Sequence, residues 1–151
     1  MFSIRIEVLG IPRPGGGKIA GFNKRTGKSF VRPDNPNTAV WRSDVQAAAI
    51  QQYKGPLLAG AISMAYTFRF PRPKNHFRRG KNSHLMREDA PVWHTGTPDL
   101  TKIIRSTEDA LTGIVWRDDS QVCLRTESKR YCREDERPGV TIDIEELAHE
   151  L

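Results

Sequence analysis

Cysteine is nearly absent: Cys123 and Cys132 are the only two, with no CxxC pair and no metal-ligand spacing. That excludes a disulfide-built secreted scaffold and reads as two reduced thiols in a cytoplasmic protein. No apolar run approaches the ~20 residues that span a bilayer, so no membrane partner is expected. The opening stretch Met-Phe-Ser-Ile-Arg-Ile-Glu-Val alternates like a strand and lacks the apolar centre of a signal peptide. No repeat divides the 151 residues, so a single domain over 1–151 is expected, burying about two-thirds of its unfolded surface. Acid is the most telling shortage. From Met1 to Arg87 only Glu7, Asp34 and Asp44 stand against sixteen Lys/Arg; from Glu88 onward fifteen acids face eight Lys/Arg. The net charge of +6, with a pI near 9.6, favours a polyanionic partner. A basic half joined to an acid-bearing half suits a phosphate-binding surface feeding a metal site.

Periodicity supplies the elements. Phe2, Ile4, Ile6 and Val8 alternate with polar positions as a half-buried first strand. Asn37 or Thr38 caps a helix to about Tyr53 with Trp41, Val45, Ala48 and Ala49 on one face, ended by Gly55-Pro56. Ile62, Met64, Tyr66, Phe68 and Phe70 give the clearest strand, expected centrally in the sheet. Val122, Leu124 and Thr126 alternate as a strand reaching Tyr131, and Val140, Ile142 and Ile144 form the last one. Residues 133–139 read as a turn and 145–151 as a short acidic, helix-prone tail. The order predicts an α+β domain: a mixed β-sheet with two main helices packed on it and two basic loops.

The chemistry centres on Thr97–Gln121. Leu100, Ile103, Ile104 and Leu111 make the buried stripe of a helix that Gly113 ends. Asp99 stands at its start, where a carboxylate can cap free N–H groups. Lys102, Arg105 and Asp109 share its polar face. Ile114-Val115-Trp116 returns to the core and delivers Asp118 and Asp119. If Asp99 and the Asp118-Asp119 pair converge, they repel unless a cation lies between them, and hard oxygen ligands suit Mg²⁺, or alternatively Mn²⁺. Such an ion activates water and polarises a phosphoryl oxygen, with Arg105 to steady the developing charge. The plain alternative is that Asp99 is only a cap and Asp118-Asp119 only a turn.

Two loops carry the positive charge. Residues 10–33 hold Lys18, Lys24, Arg25, Lys28 and Arg32 among glycines and prolines, suited to a basic hairpin on a phosphate backbone. The Gly15-Gly16-Gly17-Lys18 run misses P-loop spacing and has Ile19 where Ser/Thr belongs, so no nucleotide cofactor is expected. Residues 71–96 lack periodicity, and Arg72, Lys74, Arg78, Arg79, Lys81 and Arg87 alternate there with His76, Phe77 and His84. A loop this long is functional or disordered; it can hold nucleic acid, with Phe77 stacking on or wedging between bases. The histidines lack the spacing of an HNH nuclease.

At Pro98-Asp99-Leu100, Lys102, Arg105, Asp109-Ala110-Leu111, Gly113 and Asp118-Asp119-Ser120-Gln121-Val122 the chain resembles the RusA family of Holliday-junction resolvases. Those proteins carry D-x-D-N-L-x-K, then D-A-L, then D-D-x-Q-V. The resemblance implies a homodimeric, Mg²⁺-dependent endonuclease that nicks four-way DNA junctions symmetrically, in a bacterial or phage-infected cell. By position Asp99 matches the first motif acid and Asp119 the acid that joins it at the metal, with Asp118 beside it; Arg105 falls where the family has lysine. Thr101 stands where the second acid belongs, and Asp118 is the nearest substitute; Glu108 is about 10 Å along the helix axis from Thr101. Two other readings remain: a non-catalytic junction binder with a degenerate site, and a different metal nuclease. The second rests on Pro98-Asp99 followed by Glu127-Ser128-Lys129, a literal PD…(D/E)xK match.

Overall fold

A computed structural model describes residues 3–15, 18–33 and 36–149, without the side chains of residues 18, 19, 32 and 33. The readings placed on Phe2, Gly16, Gly17, Asp34, the side chains of Lys18 and Arg32, and residues 150–151 lie outside the described residues.

Four strands form the main sheet in the order β1 (Ser3–Leu9), β6 (Gly139–Glu146), β4 (Ile62–Phe70), β5 (Val122–Tyr131). The chain ends its strand series in the middle of the sheet: β6 pairs antiparallel with both β1 and β4. β4 and β5 run parallel. A parallel pair requires a crossover, and that crossover carries the 71–96 loop and α2 (Leu100–Leu111). β2 (Lys18–Asn23) and β3 (Lys28–Pro33) form a separate two-stranded hairpin, as expected for the first basic loop. The architecture is therefore α+β, one domain with a mixed sheet and two helices.

One sheet face is covered by α1 (Thr38–Gln52) and α2. Ile4, Ile6 and Val8 of β1, Ile62, Met64, Tyr66 and Phe68 of β4, and Val140, Ile142 and Ile144 of β6 are buried there. Trp41, Val45 and Ala49 meet them from α1, and Ile103, Ile104, Ala110 and Leu111 from α2. Each fully buried side chain of this size contributes about 1.5–3 kcal/mol. The Trp41 Nε1–H donates to Thr107 Oγ1 at 3.1 Å and so joins the two helices inside the core. Gly139 is required by contact as well as conformation: its φ is +156°, and a Cβ there would stand 1.9 Å from the Val8 carbonyl oxygen.

Three expectations change. Leu124 is 57% exposed, because β5 is an outer strand and its first half is open to solvent. The described part of the C-terminal tail is not helical: Glu145 and Glu146 extend β6, and the Leu147 N–H donates to Ala61 O at 2.8 Å. Pairing with a neighbouring strand outweighs the weak helix preference of so short a segment. The 71–96 loop is neither disordered nor featureless. Two 3₁₀ turns, Lys74–His76 and Gly80–Asn82, stand beside a bridge between Phe77 and Met86, closed by Arg78 N–H to Leu85 O (2.9 Å) and Arg87 N–H to His76 O (3.0 Å).

Candidate active site and nucleic-acid interface

Asp118 and Asp119 sit on a turn that the sequence builds tightly. Asp118 Oδ1 accepts from Ser120 N–H at 2.9 Å, and the Gln121 side chain accepts from Arg117 and Asp118 N–H groups, both 2.9 Å. Gln121 also donates to the carbonyls of Leu58 (2.9 Å) and Gly60 (3.0 Å). This reciprocal cap satisfies the free N–H groups of the turn and fixes it to the segment entering β4. Both acids are exposed and face each other. The Ser120 N–H, followed by the Ser120 hydroxyl and Asp119, holds Asp118 below the usual carboxylate range. Asp119 is pushed up, first by its hydrogen bond with Asp118, then by partial burial and by the charges of Asp118 and Asp109. Two carboxylates that resist ionising together present a place where a cation relieves the repulsion.

Behind this pair lies a buried acid. Glu108, on the last turn of α2, is 7% exposed. Its Oε1 accepts from Tyr66 Oη at 3.0 Å and from Arg125 at 3.4 Å, and Arg125 Nε also donates to Glu127 at 2.9 Å. Burial raises the Glu108 pKa against the pull of Tyr66 and Arg125, and the Asp119 charge adds to the rise. Burial, with Glu108 next to it, also holds the Tyr66 hydroxyl firmly protonated. Glu108 therefore couples α2, β4 and β5 to the Asp118-Asp119 turn. An acid at a core-facing position between Thr107 and Ala110 was the only sequence signal for this, and spacing alone does not say whether such a group finds partners.

Asp99 occupies the N-cap of α2, but its side chain makes no capping hydrogen bond, contrary to expectation. It is exposed, with Lys102 Nζ at 3.8 Å. Exposure to water and a nearby ammonium stabilise the carboxylate without the bent geometry a cap requires. The structure gathers Asp118, Asp119, Asp109 and Glu108 around the last turn of α2, whereas Asp99 stands at the first. Ten residues from Asp99 to Asp109 span about 15 Å of helix. Among the described residues no three His, Cys, Asp or Glu side chains are grouped to hold a metal ion. Arg105 and Thr101 are exposed along the same helix.

The surroundings of Asp99 are a second locus. Lys129 of β5 donates to the carbonyls of Pro98 (2.8 Å) and Gly96 (2.5 Å), clamping the loop before Asp99. Of the literal PD…(D/E)xK match, Lys129 thus reaches the backbone beside Asp99, while Glu127 turns to Arg125. On the other side the root of the basic hairpin lies on α2: Gly15 N–H donates to Lys102 O (2.9 Å), and Ser106 Oγ donates to Arg13 O (2.6 Å). Arg13, which the sequence reading did not single out, joins Pro12, Pro14, Asp99 and Lys102 around a cleft of about 270 Å³.

The basic side chains divide by role. Lys24, Arg25 and Lys28 are exposed at the tip of the β2–β3 hairpin, whose turn Asn23 holds by accepting from the Arg25 N–H at 2.9 Å. Lys74, Arg78, Arg79 and Lys81 are exposed on the second loop. Arg72 is instead a brace: it donates to Cys132 O (2.8 Å) and Pro91 O (2.7 Å) and lies 5.3 Å over the Tyr131 ring. His76 and His94 pack edge-on to the same ring at 4.7 and 5.0 Å, and His94 also stacks on Phe70. Burial and nearby cations lower both histidine pKa values, which suits packing in an aromatic cluster.

Compared with known proteins, residues 14–145 match the family described as Endodeoxyribonuclease RusA. The chain is also similar to the uncharacterized protein YqaN of Bacillus subtilis (strain 168), 28% identical over 124 residues, which cover 82% of this chain and 84% of YqaN.

Proposed function

Because the chain belongs to the RusA endodeoxyribonuclease family, we propose that it resolves four-way DNA junctions as a homodimer, hydrolysing one phosphodiester on each of two opposed strands with Mg²⁺ or Mn²⁺. The observation that carries this reading is the Asp118-Asp119 pair, held by Gln121 with one member resisting ionisation. Two exposed carboxylates fit a hard divalent ion that keeps several waters and takes further oxygens from the substrate phosphate. Bound there, the ion would lower the pKa of a water and neutralise charge on the scissile phosphate.

The chain's own residues supply the rest. Asp118, already ionised and fixed by the Ser120 N–H, is the stronger oxygen donor; Asp119 completes the pair when it loses its proton. Arg105, exposed one turn before Asp109, would meet the charge developing on the phosphate. Asp99, with Arg13 and Lys102 about its cleft, would act on the same strand from the helix start. A four-way junction has two equivalent strands, so a two-fold dimer would set one such site against each.

Cleavage of a synthetic four-way junction in Mg²⁺ tests the reading. Wild type should nick opposed strands, while Asp119→Asn and Asp99→Asn each lower the rate at least about 100-fold with junction affinity kept, since metal charge and not phosphate contact is removed. Near wild-type cutting by either variant would show that its carboxylate is not part of the site. Junction binding without nicking by wild type would favour a binding protein instead.

A further inference from the structure

The 74–87 loop encloses a cleft of about 790 Å³, the largest described, whose walls include Lys74, Asn75, Phe77, Arg78, Arg79 and Arg87. That volume falls within the range of small-molecule sites, about 300–1,000 Å³. Its framework is fixed: the Phe77–Met86 bridge and two backbone hydrogen bonds close the loop, and Gly80 turns it at φ +67°. Arg72 ties the loop to β5 and to Pro91. Arg87 is forked on Asp89, both contacts 3.1 Å. Lys74, Arg78 and Arg79 make no ion pair among the described residues, so their charge faces outward uncompensated.

Phe77 separates this cleft from a second one of about 240 Å³ on the side of Cys132 and Pro138, so its half-buried ring forms a wall between them. Cations alone would serve any duplex backbone. An aromatic wall among cations serves a base only when that base has left its stack, because a paired base offers no free face. The loop leads from the end of β4 to Asp99, so a nucleotide seated in it would lie upstream of the helix that carries the acids.

We propose that this cleft receives a single unstacked DNA nucleotide, its phosphate against Arg78 and Arg79 and its base on Phe77. The proposal rests on the reading of the protein as a nuclease of branched DNA and names the feature of the branch that it grips. Its test needs neither metal nor nicking. The full chain is titrated against a duplex carrying a one-nucleotide 2-aminopurine bulge and against the same duplex without the bulge. Wild type should prefer the bulged duplex about tenfold, the scale of one base–aromatic stack, with 2-aminopurine emission quenched on binding. Phe77→Leu, which keeps an apolar side chain under the bridge, should lose the preference and the quenching while binding the plain duplex as wild type does. Phe77→Tyr should retain both. Equal affinity for the two duplexes, absence of binding to either, or a preference that survives Phe77→Leu would overturn the proposal. Failure of junction cleavage would leave these readouts intact, so the two readings fail separately.

Discussion

Replacing Arg125 with methionine removes the only cation bonded to a carboxylate that is 7% exposed. Breaking a buried ion pair from one side costs about 3–5 kcal/mol. The Arg125 side chain is itself 36% exposed, so water screens part of its interaction, and Tyr66 still donates to Glu108 at 3.0 Å. About 2 kcal/mol at pH 8 is expected. With a urea slope of about 2 kcal/mol per molar for a domain this size, the midpoint should fall by about 1 M. The cost must depend on pH. Folding raises the Glu108 pKa, so the neutral carboxyl is favoured in the folded state. That contribution is complete below the unfolded value and disappears as pH rises through the folded one. Without the guanidinium the folded pKa climbs further, so the penalty is under about 1 kcal/mol at pH 5 and largest at pH 8. Urea unfolding followed by the emission of buried Trp41 and Trp116 reads both midpoints. Adding Glu108→Leu should recover much of the loss at pH 8. An equal midpoint shift at both pH values would refute the idea that Arg125 acts by compensating this charge.

Three further outcomes follow from the same structure. Thr101→Asp, in the exposed first turn of α2, should lower the metal concentration for half-maximal junction cleavage; no change, or lost activity, would mean the site is built around threonine. Neutralising Arg78, Arg79 and Lys81 together should weaken junction binding and reduce the salt slope by up to about 2.7, at about 0.9 per duplex phosphate contact; wild-type affinity and slope would move the binding surface to the β2–β3 hairpin. Arg130 pairs with Glu136 at 2.6 Å and holds its pKa at about 2, so folding stability should fall as pH drops from about 4.5 toward 2. Glu136→Gln should flatten that fall by about 1–2 kcal/mol; an unchanged acid transition would refute it.

The sequence by itself determined the elements whose signal is periodic and local. The alternation in β1, β4 and β6, the buried stripe of α2 and the Gly113 stop each depend on neighbours a few residues away. The Asp118 to Gln121 spacing likewise carried its own turn. Only tertiary structure decided where those elements lie and what their polar groups meet. Leu124 alternates like a buried residue, yet is exposed because no element covers that end of β5. Arg72 reads as another loop cation, yet its donors are spent on Cys132 and Pro91. Asp99 was placed at the helix start by its motif, but not its freedom from capping or the Lys129 clamp behind it. Glu108 became a buried, coupled acid because Tyr66 lies 42 residues away and Arg125 lies 17 away. Desolvation and charge pairing depend on distance in space, and a one-dimensional pattern records only distance along the chain.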